Sequence, residues 1–448
     1  VLNRRFILSG GIAALCDVFT LPTVSAQSAD YSQPRILRAG KIELDFGPDA
    51  GPKRIGYAFD GLMPGPVLRY AKGTELNIRV QNDTDLPFAV HWQGLHVPND
   101  MDGACGLTQE PIAPLNGYTY RFPLRDSGLF AYRPDHPQYA HQLHAGGLFG
   151  LLIVDEPHPP PVDRDIALVF SDWPRLATDD AQSAATNDHF ITLNGELAPY
   201  QVITEPCGRL RLRLWNASAD HIMMVIVEGA APIVIAIDGQ PTTPFEPARH
   251  LLPFAPGTRF DVILDLPTHE HETILFKLRQ TGDDTQAVTL LRITTQGMAR
   301  AAPPPLNALE DNFLLPTDLP LARAFRRDII IEEIKKSDGQ SAWTMNGVEG
   351  QGTGDDKPLL TVARGSTVVL GLINKTDSVQ SLHLHGFYSR LLHALDDGWD
   401  PYWRDTFLLA PHKTSHIAFV ADTIGKWRFA SGSLTQAARG LTSWIEVV

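Results

Sequence analysis

The residues able to do chemistry are few and unevenly placed. Sixteen histidines and three cysteines are spread over 448 residues. The suggestive ones sit in short apolar runs: His91-Trp92-Gln93-Gly94, Tyr132-Arg133-Pro134-Asp135 and His383-Leu384-His385-Gly386. Imidazole, thiolate and carboxylate are the groups that hold transition ions or relay protons. Sequence cannot fix the distance between Cys105 and Cys207, which read as small buried hydrophobes, although an oxidising compartment would allow them to pair. His136, His141 and His144 read as solvated or capping loop residues. His96, His393, His412 and His416 belong to no motif, and Met223-Met224 reads as core.

The elements that must position these residues are strands. Leu76-Asn77-Ile78-Arg79-Val80 and Leu210-Arg211-Leu212-Arg213-Leu214 alternate apolar with polar, as half-buried strands do. Nothing long has helical periodicity. One pattern recurs three times, a glycine turn feeding an apolar strand that stops at Asn-x-Thr/Ser. It runs from Gly73 to Asn82-Asp83-Thr84, from Gly208 to Asn216-Ala217-Ser218 and from Gly365 to Asn374-Lys375-Thr376. Asn and Thr side chains at such a stop can bond the turn's own backbone. The repeat implies three copies of one all-β sandwich. Glu156 to Pro161 supplies a stiff linker after the first copy, and a longer strap over residues 298–326, containing Pro303-Pro304-Pro305, leads to the third.

The N-terminus carries paired Arg4-Arg5, an apolar run, and Val24-Ser25-Ala26 as a small-residue cleavage site. That order resembles a twin-arginine export signal over residues 1–26 and predicts a periplasmic mature chain. No stretch is long and apolar enough to span a bilayer. The net charge of −13 argues against nucleic acid and anionic membrane as main partners.

The motifs resemble those of multicopper oxidases. His91-Trp92-Gln93-Gly94 with Asp100-Met101-Asp102-Gly103 is similar to the family's H-W-H-G motif, and Gly147 to Val154 to the strand that ends its first domain. His383-Leu384-His385-Gly386 is similar to H-L-H-G, followed by Trp403-Arg404-Asp405-Thr406 and Gly425-Lys426-Trp427-Arg428-Phe429. Ala236-Ile237-Asp238-Gly239 resembles the copper-free middle domain. The resemblance implies three consecutive cupredoxin-like Greek-key β-sandwich domains, over residues 27–157, 158–300 and 327–448, with residues 301–326 as the strap.

The same resemblance implies a type 1 copper site and a three-copper cluster held by four H-x-H pairs, and most of those ligands are replaced. Gln93 stands for the second histidine of the first pair, and Arg133 and Asp135 for both histidines of the second. The third pair, His383 and His385, is intact. Ala430-Ser431-Gly432 replaces the fourth pair and its cysteine. Gln380, Gln436 and Leu441 stand where the remaining type 1 ligands belong. Without a thiolate there is no port for electrons.

In the family pattern His91 and His383 hold one copper. A residual one-metal site would add His385, with Asp135 as a fourth ligand, and would suit copper, zinc or ferrous iron. Arg133 argues the other way, because a cation beside the pocket repels a metal and can pair with Asp135 instead. The alternative is that these histidines are remnants hydrogen-bonded across the domain interface, with no cofactor. The expectation is a monomeric, non-redox periplasmic protein that binds or stabilises protein partners, as copper-free relatives tied to cell division do. A mononuclear copper or zinc enzyme, or a copper-dependent oxidoreductase, is the alternative.

Overall fold

The computed structural model describes residues 23–25, 33–175, 188–279, 287–393 and 398–448. The expected export signal over residues 1–26 lies outside the described residues, apart from the backbone of Thr23–Ser25, which pairs in parallel with Val67–Ala71 at a sheet edge.

Six sheets form three sandwiches in chain order. The first packs a sheet containing strands 54–59, 35–44, 75–82 and 117–123 against one containing 67–71, 150–155, 128–135 and 89–93. The second packs a seven-stranded sheet on a five-stranded one, and the third packs two five-stranded sheets. Each encloses its own apolar core, centred on residues such as Trp92 and Tyr120, Phe170 and Phe276, and Trp427 and Phe419. All-β cupredoxin-like sandwiches are therefore the architecture.

The threefold repeat is physical. In each sandwich the first strand runs parallel to the one that ends at the repeated asparagine, so that Ala39, Phe170 and Ile331 lie opposite Asn82, Asn216 and Asn374. Each asparagine carboxamide oxygen accepts from the backbone N–H and the hydroxyl of the residue two places on, Thr84, Ser218 or Thr376. Each amide nitrogen donates to carbonyls across the turn. A buried side chain thus satisfies backbone groups that the sheet leaves unpaired.

Leu76–Val80 is half-buried as its alternation predicts. Arg209–Asn216 is buried on both faces, contrary to that expectation. Its polar face is turned inward onto carboxylates: Arg211 pairs with Glu156 and Asp261, and Arg213 with Asp165 at 2.8 and 3.0 Å. The first and second sandwiches also share an apolar seam that joins Leu129, Phe149 and Leu151 to Val169 and Trp215.

The strap to the third sandwich has no strand before Phe325, where strand Phe325–Lys335 begins, and it is fastened along its length. Arg209 Nη1 donates to the Pro304 carbonyl at 2.7 Å. The Asn312 amide donates to Asp126 of the first sandwich and to Gln240 of the second, at 2.5 and 2.8 Å. Leu319 is buried against Val369, Tyr388 and Trp403. No helix among the described residues is long and apolar enough to cross a membrane.

Candidate metal centre between the first and third sandwiches

Strand Ala89–Gln93 lies at the edge of its sheet beside Gly128–Asp135, with His91 opposite Arg133. In the third sandwich, Gln380–Leu384 runs between Thr406–Leu409 and Gly425–Ser431, which puts His383 opposite Thr406 and Ala430. These two strands meet at the domain interface and bring His91, His383 and His385 together, all three buried. One ligand nitrogen of each lies within 4.8 Å of the others. His91 Nε2 is 3.3 Å from His383 Nε2, and the rings of His91 and His385 stack at 3.7 Å.

The rear nitrogens are all engaged. His91 Nδ1 bonds the Asp102 carbonyl at 2.9 Å, His385 Nδ1 bonds the Asp102 carboxylate at 2.8 Å, and His383 Nδ1 bonds the Asp405 carbonyl at 3.1 Å. A carbonyl accepts only from N–H, so the Nδ1 atoms of His91 and His383 carry hydrogen and their Nε2 atoms present lone pairs. Two lone pairs facing each other at 3.3 Å repel unless an electrophile lies between them. A tetrahedral ion with bonds of about 2.0 Å sets its ligand nitrogens about 3.3 Å apart, so the donor set fits one metal ion. Burial, with the neighbouring His91 charge second, pushes the His385 pKa down to about 3 and leaves that ring neutral and able to ligate. Burial also lowers that of His383, although Asp405 opposes the shift.

Asp135 does not join the trio. Both its oxygens accept from Arg428 Nη1, at 2.6 and 2.7 Å, and one also accepts from the Cys105 N–H at 2.8 Å. Burial works against its charge, and Arg428, the neighbouring imidazoles and the Cys105 N–H together outweigh it, so its pKa falls below the ordinary value. The expected Arg133–Asp135 pair is thus replaced by Arg428–Asp135. Arg133 lines a cavity of about 40 Å³ with His383, His385 and Arg428, room for an ion or a water or two. Gln93 turns away and donates to the Gly257 carbonyl at 3.2 Å.

The positions that the resemblance assigns to a type 1 copper site carry two amides, a hydroxyl and an isobutyl group. Gln380 donates to Thr376 Oγ1 and Ser378 Oγ at 3.0 and 2.8 Å, Ser431 bonds the Gln436 carboxamide oxygen at 2.9 Å, and Leu441 is buried in the core. Ser431 and Gln436 bond each other, Gln380 bonds its own turn with its carboxamide oxygen unpartnered, and a mononuclear copper would need thiolate and imidazole there. Cys105 and Cys207 are both free, and Cys105 is buried.

Sequence reasoning left three contributors unassigned. Asp102 holds two of the histidines from behind. Asp405 holds the third and is itself paired to buried Arg259 at 2.5 Å. Asp238 accepts from the N–H groups of Asp405 and Thr406 at 3.1 Å each, and burial followed by the Asp405 charge pushes its pKa well above the ordinary carboxylate range. Asp102, Asp238 and Asp405 all lie inside recognisable motifs, which was the available signal. His141 and His144, read as solvated or capping residues, sit on a short helix, Ala140–Ala145. His144 is buried with Nε2 on the Ala217 carbonyl, and His141 bonds Asp220. Asp220 also accepts from Ser433 and Thr435, so one carboxylate of the second sandwich grips both neighbours.

Two family models described as multicopper oxidase match residues 43–159 and 329–447. The chain is 25% identical to the multicopper oxidase MmcO of Mycobacterium tuberculosis over 95% of its own length and 92% of that protein's. It is 25% identical to copper resistance protein A of Escherichia coli, covering 69% of this chain and 60% of the relative. Among solved structures, Lac15 from a marine microbial metagenome superposes with a TM-score of 0.75 at 29% identity, over 93% of this chain and all of that one. A multicopper oxidase from Pseudomonas thermotolerans superposes with a TM-score of 0.79 at 24% identity, over 93% of this chain and 99% of the other.

Proposed function

The chain belongs to the multicopper oxidase family, and from that membership we infer that it keeps the family scaffold without the family's electron-transfer route. It serves as an exported, periplasmic binding or scaffold protein for other proteins, of the kind that stabilises cell-division assemblies, and lacks laccase-type activity. The observation that carries this reading is the cluster Gln380, Ser431, Gln436 and Leu441. Two amides, a hydroxyl and an isobutyl group close the place where electrons would enter, and no thiolate stands among them. An oxidase that cannot accept electrons from a reductant cannot deliver them to oxygen, whatever ions its interface holds.

Spectroscopy and respirometry on protein folded in the presence of copper test it. The expectation is no blue absorption near about 600 nm, which needs a copper–thiolate bond, and no oxygen uptake with phenolic reductants. A blue band together with oxygen uptake would overturn the proposal in favour of a copper-dependent oxidoreductase.

A second reading has its own support in the facing Nε2 atoms of His91 and His383. Here the protein holds one copper or zinc ion on His91, His383 and His385. The ion would supply Lewis acidity. Asp102 and Asp405 would fix the imidazole tautomers, and Arg133 would offer a cation to any anion that enters the cavity. Metal content by mass spectrometry after dialysis against copper, then buffer, should fall by about one ion per chain in His383→Ala. Unchanged content in His383→Ala would remove this reading and leave the scaffold.

A further inference from the structure

The second sandwich carries another convergence of metal-binding side chains, outside the family's copper motifs: Asp172, His189 and His221. Three elements deliver them. Asp172 lies near the end of strand Arg164–Pro174, and His189 opens the antiparallel neighbour His189–Leu193, in register with Pro174. In that pairing Ile191 lies opposite Asp172, so His189 is its diagonal neighbour on the same face. The intervening Trp173 and Phe190 point the other way and are buried. His221 comes from the turn after Asn216, where its carbonyl accepts from the Asn216 amide at 2.9 Å and the Ser218 hydroxyl at 2.8 Å.

That turn is a variation on the threefold repeat. In the outer sandwiches the carbonyl held in this way belongs to Leu86 and Ser378, four residues after the asparagine. In the middle copy it lies five residues after Asn216, and the longer turn carries Asp220 and His221. His221 is thereby brought over Asp172.

The three groups meet at one atom. Asp172 Oδ2 takes Nδ1 of His189 at 3.0 Å and Nδ1 of His221 at 2.5 Å, and the two rings sit edge to face with centroids 4.6 Å apart. The carboxylate is almost covered, whereas His189 and His221 are 31% and 53% exposed, so the cluster has an anionic floor and an open mouth. Burial opposes the Asp172 charge, but bonds from both imidazoles hold its pKa down, at about 2. When the hydrogen on each Nδ1 moves to Nε2 or is released, two imidazole nitrogens and one carboxylate oxygen become a donor set for a four-coordinate late transition ion.

We propose that Asp172, His189 and His221 form a solvent-reachable binding site for a divalent late-transition ion, Zn²⁺ or Cu²⁺, on the middle sandwich. The ion ties the ends of two strands to the 217–221 turn. That turn also carries Asp220, which holds His141 of the first sandwich and Ser433 and Thr435 of the third. Ion binding therefore stiffens the junction of all three sandwiches.

Calorimetric titration of the full chain with ZnCl₂ at neutral pH tests this, on the wild type and on His189→Ala/His221→Ala. The expected result is that the wild type binds one equivalent more than the double variant, whose circular dichroism is unchanged. Asp172→Asn, which keeps both imidazoles and the carboxyl's shape, should weaken that equivalent by about tenfold or more. Zn²⁺ should raise the melting temperature of the wild type more than that of the double variant. Equal zinc uptake and affinity in wild type and double variant would overturn the proposal, as would no uptake by the wild type. The buried histidine trio is untouched by these substitutions, so its loading stands or falls separately.

Discussion

Arg428 and Asp135 form a doubled contact across the interface between the first and third sandwiches, one guanidinium nitrogen lying 2.6 and 2.7 Å from the two carboxylate oxygens. The other terminal nitrogen of Arg428 donates to the carbonyls of Cys105 and Gly352, at 2.8 Å each. The pair stands where the resemblance would place a metal-binding histidine, and it closes that side of the interface with a charge pair instead.

Removing one partner should therefore be worse than removing both. Asp135→Asn leaves a buried guanidinium without its counter-charge and should destabilise the chain by about 3–5 kcal/mol. Asp135→Leu combined with Arg428→Met should recover much of that loss. Thermal and denaturant unfolding of the two variants and the wild type check this, and an Asp135→Asn variant as stable as the wild type would show that the pair holds nothing together.

Electron entry should be restorable only in concert. Ser431→Cys alone is expected to give no blue absorption in copper-loaded protein, because Gln380 and Gln436 supply amides where imidazoles are required. Ser431→Cys with Gln380→His and Gln436→His should produce absorption near about 600 nm. The absorption spectra of the two variants decide the matter.

Stability should fall in mild acid through His144. Burial, with the nearby Arg133 charge second, pushes its pKa down to about 3, and its Nδ1 has no hydrogen-bond partner. The unfolded chain takes up this proton below pH about 6.5, whereas the folded chain resists it down to about 3. The contribution is thus complete above the unfolded pKa and is lost as the pH falls, at about 1.4 kcal/mol per pH unit within that window. His144→Gln keeps a donor for the Ala217 carbonyl and cannot titrate, so its unfolding midpoint should depend less on pH between those limits.

The two cysteines should differ in reactivity. Burial, followed by the Asp135 charge, pushes the Cys105 thiol up to about 12, and Cys207 is only partly covered. A thiolate-directed reagent at neutral pH should label Cys207 in the folded chain and reach Cys105 only after denaturation. Peptide mapping after timed labelling gives the answer, and early modification of Cys105 would contradict it.

The architecture was legible because it is written locally. Asn82, Asn216 and Asn374 each cap their own turn, so the repeat is visible within a few residues. The three histidines were legible because strand periodicity and motif resemblance both mark them. The supports were not. Arg428 lies 293 residues from Asp135, and nothing in Trp427-Arg428-Phe429 says which carboxylate it will meet. Arg211 and Arg213 look like the wet face of a strand until the linker residue Glu156 is folded onto them. Asp172, His189 and His221 fit no spacing rule, since a diagonal strand pair and a turn lengthened by one residue bring them together.

The fastening of Asn312 to Asp126 and Gln240 has a consequence for the strap. A free linker of that length would let the third sandwich sample a wide volume, since reach grows with the square root of contour length. Pinned at Asn312 as well as at Pro304 and Leu319, the strap works as a series of short tethers. Shorter tethers confine the third sandwich near its docking face and raise the local concentration at which its histidines meet His91. An Asn312→Ala chain would keep every residue of the interface and yet dock from a larger volume. A side chain remote from the histidine site thus governs how readily the two halves of that site find each other.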